Sequence, residues 1–238
     1  MQKSKITILS TKSLDEEFID KAKQEGISIE AIPFIKTEII SSAALQKKIE
    51  QVIMSPAMVA FTSGNAVEGV AARLNGQKPQ WQIFCIGHAT RQLVEKHFGK
   101  KLIAATADSA KSLAEAILKN NIDNLTFFCG DQRRDELPTV LNKHHVSVNE
   151  IVVYKTTYTS KKVGKEYEGI LFFSPSAVKS FFQKNKAGRE TILFTIGNTT
   201  ADEIKKFSDN KIVIANEPDT DVLFGQMISN FRRNPIHH

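Results

Sequence analysis

Five short clusters in this chain carry the residue types that could do chemistry. They are Thr62-Ser63-Gly64-Asn65, Gly87-His88-Ala89-Thr90, Gly130-Asp131-Gln132-Arg133-Arg134, Ser174-Pro175-Ser176 and Gly197-Asn198-Thr199-Thr200. Each follows a short apolar run and precedes a helical pattern. At such a joint, backbone N–H groups and hydroxyls converge on the start of a helix, an arrangement that favours carboxylate or phosphate. The arginine-bearing cluster adds guanidinium groups whose planar fork suits a carboxylate held by two bonds. The same residues also serve as plain helix caps and tight turns. What raises the set above that reading is its recurrence, with all five joints expected along one sheet edge, where open parallel sheets bind ligands.

Other catalytic apparatus is missing. The sequence has no GxGxxG after a strand, no GxxxxGK[ST] loop, no HExxH and no GxSxG elbow. The six histidines show no metal-ligand spacing: His144-His145 reads as a polar helix end and His237-His238 as tail. Cys85 and Cys129 sit in apolar runs, form no CxxC pair, and read as buried thiols. Hydroxyl-rich joints without metal, nucleotide or triad chemistry point to binding and positioning rather than aggressive acid–base work.

The elements that must position these joints come in duplicate. Ile27–Thr37 lies over Val146–Thr156, and at the same offset Lys5–Ser10 lies over Asn124–Cys129. Phe61–Val67 matches Phe172–Val178, Cys85–Thr90 matches Thr195–Thr200, and Lys101–Ala104 matches Lys211–Ile214. Segments agreeing at nearly constant offsets mean two copies of one unit. The apolar runs are Ile6–Leu9, Val59–Phe61, Ile83–Ile86, Leu102–Ala104, Leu125–Phe128, Ile151–Tyr154, Ile170–Phe173, Ile192–Ile196 and Ile212–Ile214. Their length suits strands buried on both faces of a parallel sheet. Amphipathic stretches such as Thr90–Phe98, Ser112–Leu118 and Ala201–Phe207 alternate with them. The pattern predicts an α/β protein of two similar domains, each a parallel sheet flanked by helices, with a ligand cleft between them. Ile27–Ile39 and Val146–Thr159 are longer and are expected to pair as a two-stranded connector. Whether the domains are plain tandem units or exchange their first strand–helix pair stays open.

Bulk properties narrow the partners. The 238 residues are 41% hydrophobic and 24% charged, with net charge +6. No apolar run approaches the roughly 20 residues of a membrane span. Met1–Ile8 holds no apolar signal region, so a cytoplasmic location is expected. The basic surplus favours an anionic partner. Its lysines are spread as isolated pairs rather than a stripe with aromatics, which argues for a polyanionic small molecule over nucleic acid.

In order and spacing the chain resembles the uroporphyrinogen-III synthase family of tetrapyrrole (haem) biosynthesis, from Lys5 to about Phe231. The residues that carry the resemblance are Phe61-Thr62-Ser63 with Ala66-Val67, Ile86-Gly87 with Thr90, Cys129-Gly130 with Arg134 and Leu137-Pro138, Val153-Tyr154-Lys155-Thr156, Phe172-Phe173-Ser174-Pro175-Ser176 and Ile196-Gly197-Asn198-Thr199-Thr200-Ala201. The resemblance implies two flavodoxin-like α/β domains with the chain crossing twice: residues 1–35 plus 158–238 as a discontinuous domain and 38–154 inserted, with connector strands at about 27–39 and 146–159. It implies closure of hydroxymethylbilane to uroporphyrinogen III, with loss of water and inversion of ring D. It also implies a lyase without cofactor or metal, and a monomer whose partner is a linear tetrapyrrole polycarboxylate.

Residue roles follow from the same resemblance. Tyr154 matches the family tyrosine and is the candidate general acid. Thr62, Ser63, Gly64, Asn65, Gly87, Thr90, Arg134, Ser174, Ser176, Gly197, Thr199 and Thr200 are the candidate substrate-binding residues. One departure stands out: where many members carry arginine after the first strand, this chain has Lys12, a charge without the fork. Position 64 is glycine where proline is frequent. The competing reading is a two-domain cleft protein that binds an anionic metabolite without chemistry.

Overall fold

Short apolar runs become strands here because parallel neighbours and helices cover both their faces. The computed structural model describes residues 6–233; Met1–Lys5 and the tail with His237 and His238 lie outside the described residues. The chain runs β1 (Ile6–Ser10), α1 (Glu16–Gln24), β2 (Ile27–Ala31), β3 (Ile35–Ile39), α2 (Ala43–Ile53), β4 (Ala57–Phe61), α3 (Gly64–Ala71), β5 (Trp81–Ile86), α4 (His88–Phe98) and β6 (Ile103–Ala107). It continues α5 (Ala110–Leu118), β7 (Asn124–Gly130), α6 (Glu136–Lys143), β8 (Ser147–Tyr158), β9 (Gly169–Phe172), α7 (Pro175–Phe182), β10 (Ile192–Thr195), α8 (Asn198–Ile204), β11 (Ile212–Ile214) and α9 (Thr220–Arg233).

The chain divides into two units. The first joins Met1–Lys36 to Thr157–His238, and the second is Thr37–Thr156. Unit 1 holds a five-stranded sheet in the order β11-β10-β9-β1-β2; unit 2 holds a six-stranded sheet in the order β3-β8-β7-β4-β5-β6. The pairings β1·β2, β1·β9, β9·β10 and β10·β11 are parallel, as are β7·β8, β4·β7, β4·β5 and β5·β6. Placing β7 on β1, β8 on β2, β4 on β9, β5 on β10 and β6 on β11 makes the two orders identical. These are the equivalences the repeated segments define. The five shared strands differ in chain order, since the pair that opens unit 1 corresponds to the pair that closes unit 2, and unit 2 adds β3 at its edge.

The long extended segments behave differently in the two copies. Val146–Thr159 is essentially one 12-residue strand, β8, whereas Ile27–Ile39 breaks into β2 and β3, which lie in different sheets. The cause sits at the break. Pro33 has no N–H to give a ladder, and Phe34 turns fully into the core, edge-on to Phe181 at 5.3 Å. At the equivalent point β8 has Val152 and Val153 and runs on. β3 lies beside β8. Thr159 N–H donates to the Phe34 carbonyl at 2.9 Å and Ile40 N–H to the Val153 carbonyl at 3.0 Å, the opposed running of an antiparallel pair. Both unit boundaries fall within this ribbon.

Alternation along the strands sends neighbours to opposite layers. In unit 2, Phe61, Ile83 and Phe128 pack with Val67 and Val94, while Ala60, Phe84 and Phe127 pack with Leu113, Ile117 and Leu141. Unit 1 repeats this with Ile8, Leu171 and Phe194 against Leu223 and Met227, and with Leu9, Ile170 and Leu193 against Val178 and Ile204. Each of these larger side chains stabilises its unit by about 1.5–3 kcal/mol. Cys85 and Cys129 belong to these layers, and burial pushes both thiols up to about 11. His144 and His145 end α6, as expected. Among the described residues no helix is long and apolar enough to cross a membrane.

Candidate functional site

Parallel strands place every β-to-α loop at the carboxyl edge of its own sheet. The five joints therefore share two edges rather than the single one expected, because each unit builds a separate sheet. Thr62–Asn65, Gly87–Thr90 and Gly130–Arg134 follow β4, β5 and β7 of unit 2; Ser174–Ser176 and Gly197–Thr200 follow β9 and β10 of unit 1. Strand order reverses between β7 and β4 in one sheet and between β1 and β9 in the other. In sheets of this order ligands bind at that reversal.

In unit 2 the reversal is occupied by Tyr154. The β7·β8 register is regular from Asn124–Ser147 to Cys129–Val152, then skips a residue so that Gly130 faces Tyr154. A bulge of this kind re-aims the side chain that follows it. A methyl on Gly130 would sit 2.6 Å from Tyr154 Cε2 and 2.7 Å from its hydroxyl oxygen, so the ring lies over the glycine. It thereby crosses β7 and reaches the end of β4. There Ser63 Oγ donates to the Tyr154 hydroxyl at 3.1 Å while accepting the Ala66 N–H at 3.3 Å as the cap of α3. The backbone is tied down as well: Asp131 N–H donates to the Tyr154 carbonyl at 3.2 Å, and Asp131 Oδ1 accepts from Thr156 N–H at 2.9 Å. Burial raises the Tyr154 pKa, the Ser63 bond opposes that rise, and Cys129 and Asp131 reinforce it. At neutral pH the group is a phenol with a proton to give.

The other predicted residues of unit 2 fall into distinct settings. Thr62 is half-buried and Asn65 exposed at the start of α3. A methyl on Gly64 would meet Leu93 Cδ1 of α4 at 2.7 Å, so a side chain here has that leucine tip to displace. Gly87 has φ 78°, which favours glycine, and precedes α4 with its N–H donating to Ala107 O at 2.9 Å. Thr90, one turn on, is buried. Arg134 is exposed, and its neighbour Arg133 pairs with both Glu150 and Asp135.

In unit 1, Ser174 caps α7 by accepting Ala177 N–H at 3.2 Å, with Pro175 in the first turn and Ser176 half-buried. Gly197 is extended before α8; Thr199 is exposed and Thr200 buried. Lys12 belongs with these joints. Its ammonium stands 4.1 Å over the Phe173 ring and donates to Thr220 Oγ1 at 3.3 Å, while neighbouring Thr11 Oγ1 donates to Leu171 O at 2.8 Å. Burial lowers the Lys12 pKa, and Asp15 and Asp219 work against that. The sequence marks Lys12 as the cation after the first strand. Its seat on Phe173, at the β1/β9 reversal, and the clearance at Gly130 had no signal beyond the residue types themselves.

A protein-family model, uroporphyrinogen-III synthase HemD, matches residues 16–225 of this chain, a span that includes most of unit 1 and all of unit 2. The chain belongs to the uroporphyrinogen-III synthase family. No curated protein matches it by sequence. Solved structures of family proteins do match. A mutant uroporphyrinogen III synthase from the extremely thermophilic bacterium Thermus thermophilus aligns with TM-score 0.69 at 14% identity, covering 96% of this chain and 98% of that one. The uroporphyrinogen-III synthetase of Helicobacter pylori aligns with TM-score 0.62 at 15% identity, over 94% and 99%. At such identities the likeness shows the fold: α/β, with parallel sheets flanked by helices, in two domains. The fold class and family expected from the sequence both hold.

Proposed function

We propose that this chain, as a member of a lyase family acting on a tetrapyrrole, closes hydroxymethylbilane to uroporphyrinogen III, losing water and inverting ring D. The observation that carries the chemistry is the Tyr154 phenol, laid over Gly130 and held by Ser63 at the strand-order reversal of unit 2.

The substrate bears an acetate and a propionate on each pyrrole. A chain of net charge +6 attracts it, and the joints of each unit supply donors for carboxylates. Thr62, Asn65 and Arg134 serve in unit 2, where Gly87, its N–H given to Ala107 O, turns the chain into α4; Ser174, Ser176, Gly197 and Thr199 serve in unit 1, joined by Lys12. Thr90 and Thr200 are buried at the helix starts, away from the edge. Tyr154 gives its proton to the substrate hydroxyl, which leaves as water. The pyrrole bearing the resulting electrophilic methylene sheds its N–H proton, and the phenolate regains one. The remaining task is geometric, because the substrate closes unaided to the isomer without inversion. Holding the substituted carbon of ring D against the methylene is catalysis by orientation. As the new bond forms there, that carbon releases its bond to the ring C methylene, which then bonds to the free α-carbon of ring D. The proton lost from that α-carbon returns to a pyrrole nitrogen. The proposal includes a cytoplasmic monomer with no cofactor and no nucleic-acid or membrane partner, as the family reading implies.

The test is an isomer assay. Hydroxymethylbilane generated in situ is incubated with and without the protein, and the oxidised products are separated. A shift from isomer I to isomer III is the expected result. Isomer I alone, from protein shown to be folded, would overturn the synthase reading and leave a protein that binds an anionic metabolite without chemistry.

A further inference from the structure

The geometry assigns Ser63 a positioning role: we propose that it aims the Tyr154 phenol, rather than holding a substrate carboxylate. This rests on the synthase reading of the same site and changes the part Ser63 plays within it.

The argument begins with hydrogen-bond capacity. A serine hydroxyl has one proton and two lone pairs. Ser63 Oγ uses one lone pair on the Ala66 N–H, which fixes the oxygen to the first turn of α3. Its proton goes to the Tyr154 oxygen at 3.1 Å. Tyr154 thus receives a bond on its oxygen while its own proton stays available for a substrate. A carboxylate competing for the Ser63 proton would break this contact and release the ring.

The intervening strand makes the contact possible. β7 lies between β8, which carries Tyr154, and β4, whose end leads to Ser63. The ring crosses that gap where Gly130 has no side chain. Unit 1 provides an internal control. Ser174 is the repeat equivalent of Ser63 and caps α7 in the same way, at 3.2 Å. The position equivalent to Tyr154 is Ile35, and the one equivalent to Gly130 is Thr11. The cap is therefore common to both units, whereas the bond to a phenol is found where glycine and tyrosine occur together. A capping role alone accounts for Ser174 and leaves the aim of the Ser63 proton unexplained.

Ser63→Ala removes the donor and the cap together, so Ser42→Ala serves as the control; Ser42 caps α2 in the same unit by accepting Leu45 N–H at 3.1 Å. Ser63→Thr keeps both functions. With folding confirmed by thermal melting, Ser63→Ala is expected to lower kcat roughly fivefold, the worth of one oriented hydrogen bond, with KM little changed. Ser63→Thr restores kcat and Ser42→Ala leaves it alone. Tyrosine 13C NMR supplies a readout independent of turnover, with the Tyr154 signal identified by Tyr154→Phe. Losing a donor to the phenolate moves the Tyr154 titration to higher pH in Ser63→Ala and not in Ser42→Ala. A raised KM at unchanged kcat would make Ser63 a substrate-binding residue and overturn the proposal, as would a Tyr154 titration that does not move. If the wild type forms no isomer III, the synthase reading fails, and the NMR titration still decides whether Ser63 aims the ring.

Discussion

The two units repeat one strand order and one kind of joint, and at one spot the difference between them is chemical. Where the order of strands reverses, unit 2 has Gly130, Ser63 and Tyr154; unit 1 has Thr11, Ser174 and Ile35 at the equivalent places, with Lys12 seated on Phe173 nearby. One reversal presents a phenol and the other an ammonium. On the proposed reading the repeated fold supplies two similar edges for an anionic substrate, one presenting a proton donor and the other a charge. On this account the acid chemistry of this chain resides in unit 2, and unit 1 contributes binding.

The sharpest break of that comparison is Tyr154→Phe. Removing a general acid is expected to lower kcat by about 100-fold; KM stays near its original value, because the lost interaction belongs to the transition state. Steady-state rates across substrate concentration check both. Next comes a pair of glycines. Gly130→Ala drives a methyl into the Tyr154 ring and is expected to cut kcat by roughly tenfold, the cost of a misplaced acid being a fraction of losing it. Gly169→Ala is the unit 1 contrast, since its methyl would meet Ile8 Cδ1 at 2.9 Å and Phe194 Cε2 at 3.0 Å in the core. It is expected to destabilise the protein by about 1–3 kcal/mol while activity per folded molecule holds, which denaturant titration beside the assay reads out.

Lys12 gives a smaller effect of another kind. Lys12→Met keeps the stem on Phe173 and removes the charge, and is expected to raise KM about fivefold without changing kcat. The pH dependence has a definite sign. Burial holds the Lys12 pKa below that of an ordinary lysine, so its charge is complete at low pH and is lost earlier as pH rises. KM therefore climbs on the alkaline side, and Lys12→Arg, which keeps its charge, flattens that climb. The gentlest test uses the thiols, both of which lie in unit 2. With each pushed up to about 11 by burial, native protein resists alkylation at neutral pH. Mass spectrometry is expected to find modification at the denaturant concentration that opens unit 2.

Much of this was legible in the sequence. Matched segments give the repeat, and apolar runs give the parallel strands, because burial on both faces leaves a plain signature. The exchange of the first strand–helix pair was not readable there, because the matched segments recur in the same order in both copies; the sheet that joins β1 and β2 to β9, β10 and β11 decides it. The fate of Ile27–Ile39 was not legible, because its apolar pattern follows that of Val146–Thr159 and one proline with one buried phenylalanine splits it. The clusters were visible as ligand-binding types, yet their hydroxyls divide by setting: Ser63 and Ser174 cap helices, Thr90 and Thr200 are buried, and Thr62 and Thr199 remain at the edge. Residue type does not encode that division. Nor does it encode the meeting of Ser63 and Tyr154, 91 residues apart, which depends on a glycine in the strand between them.

The most direct test of the division of labour compares Tyr154→Phe with Lys12→Met in one kinetic experiment, isomer III formation measured from limiting to saturating hydroxymethylbilane. The account predicts a fall in kcat at steady KM for Tyr154→Phe, and a rise in KM at steady kcat for Lys12→Met. A Tyr154→Phe protein that keeps its kcat, or a Lys12→Met protein that loses it, would contradict the assignment of chemistry to unit 2 and binding to unit 1.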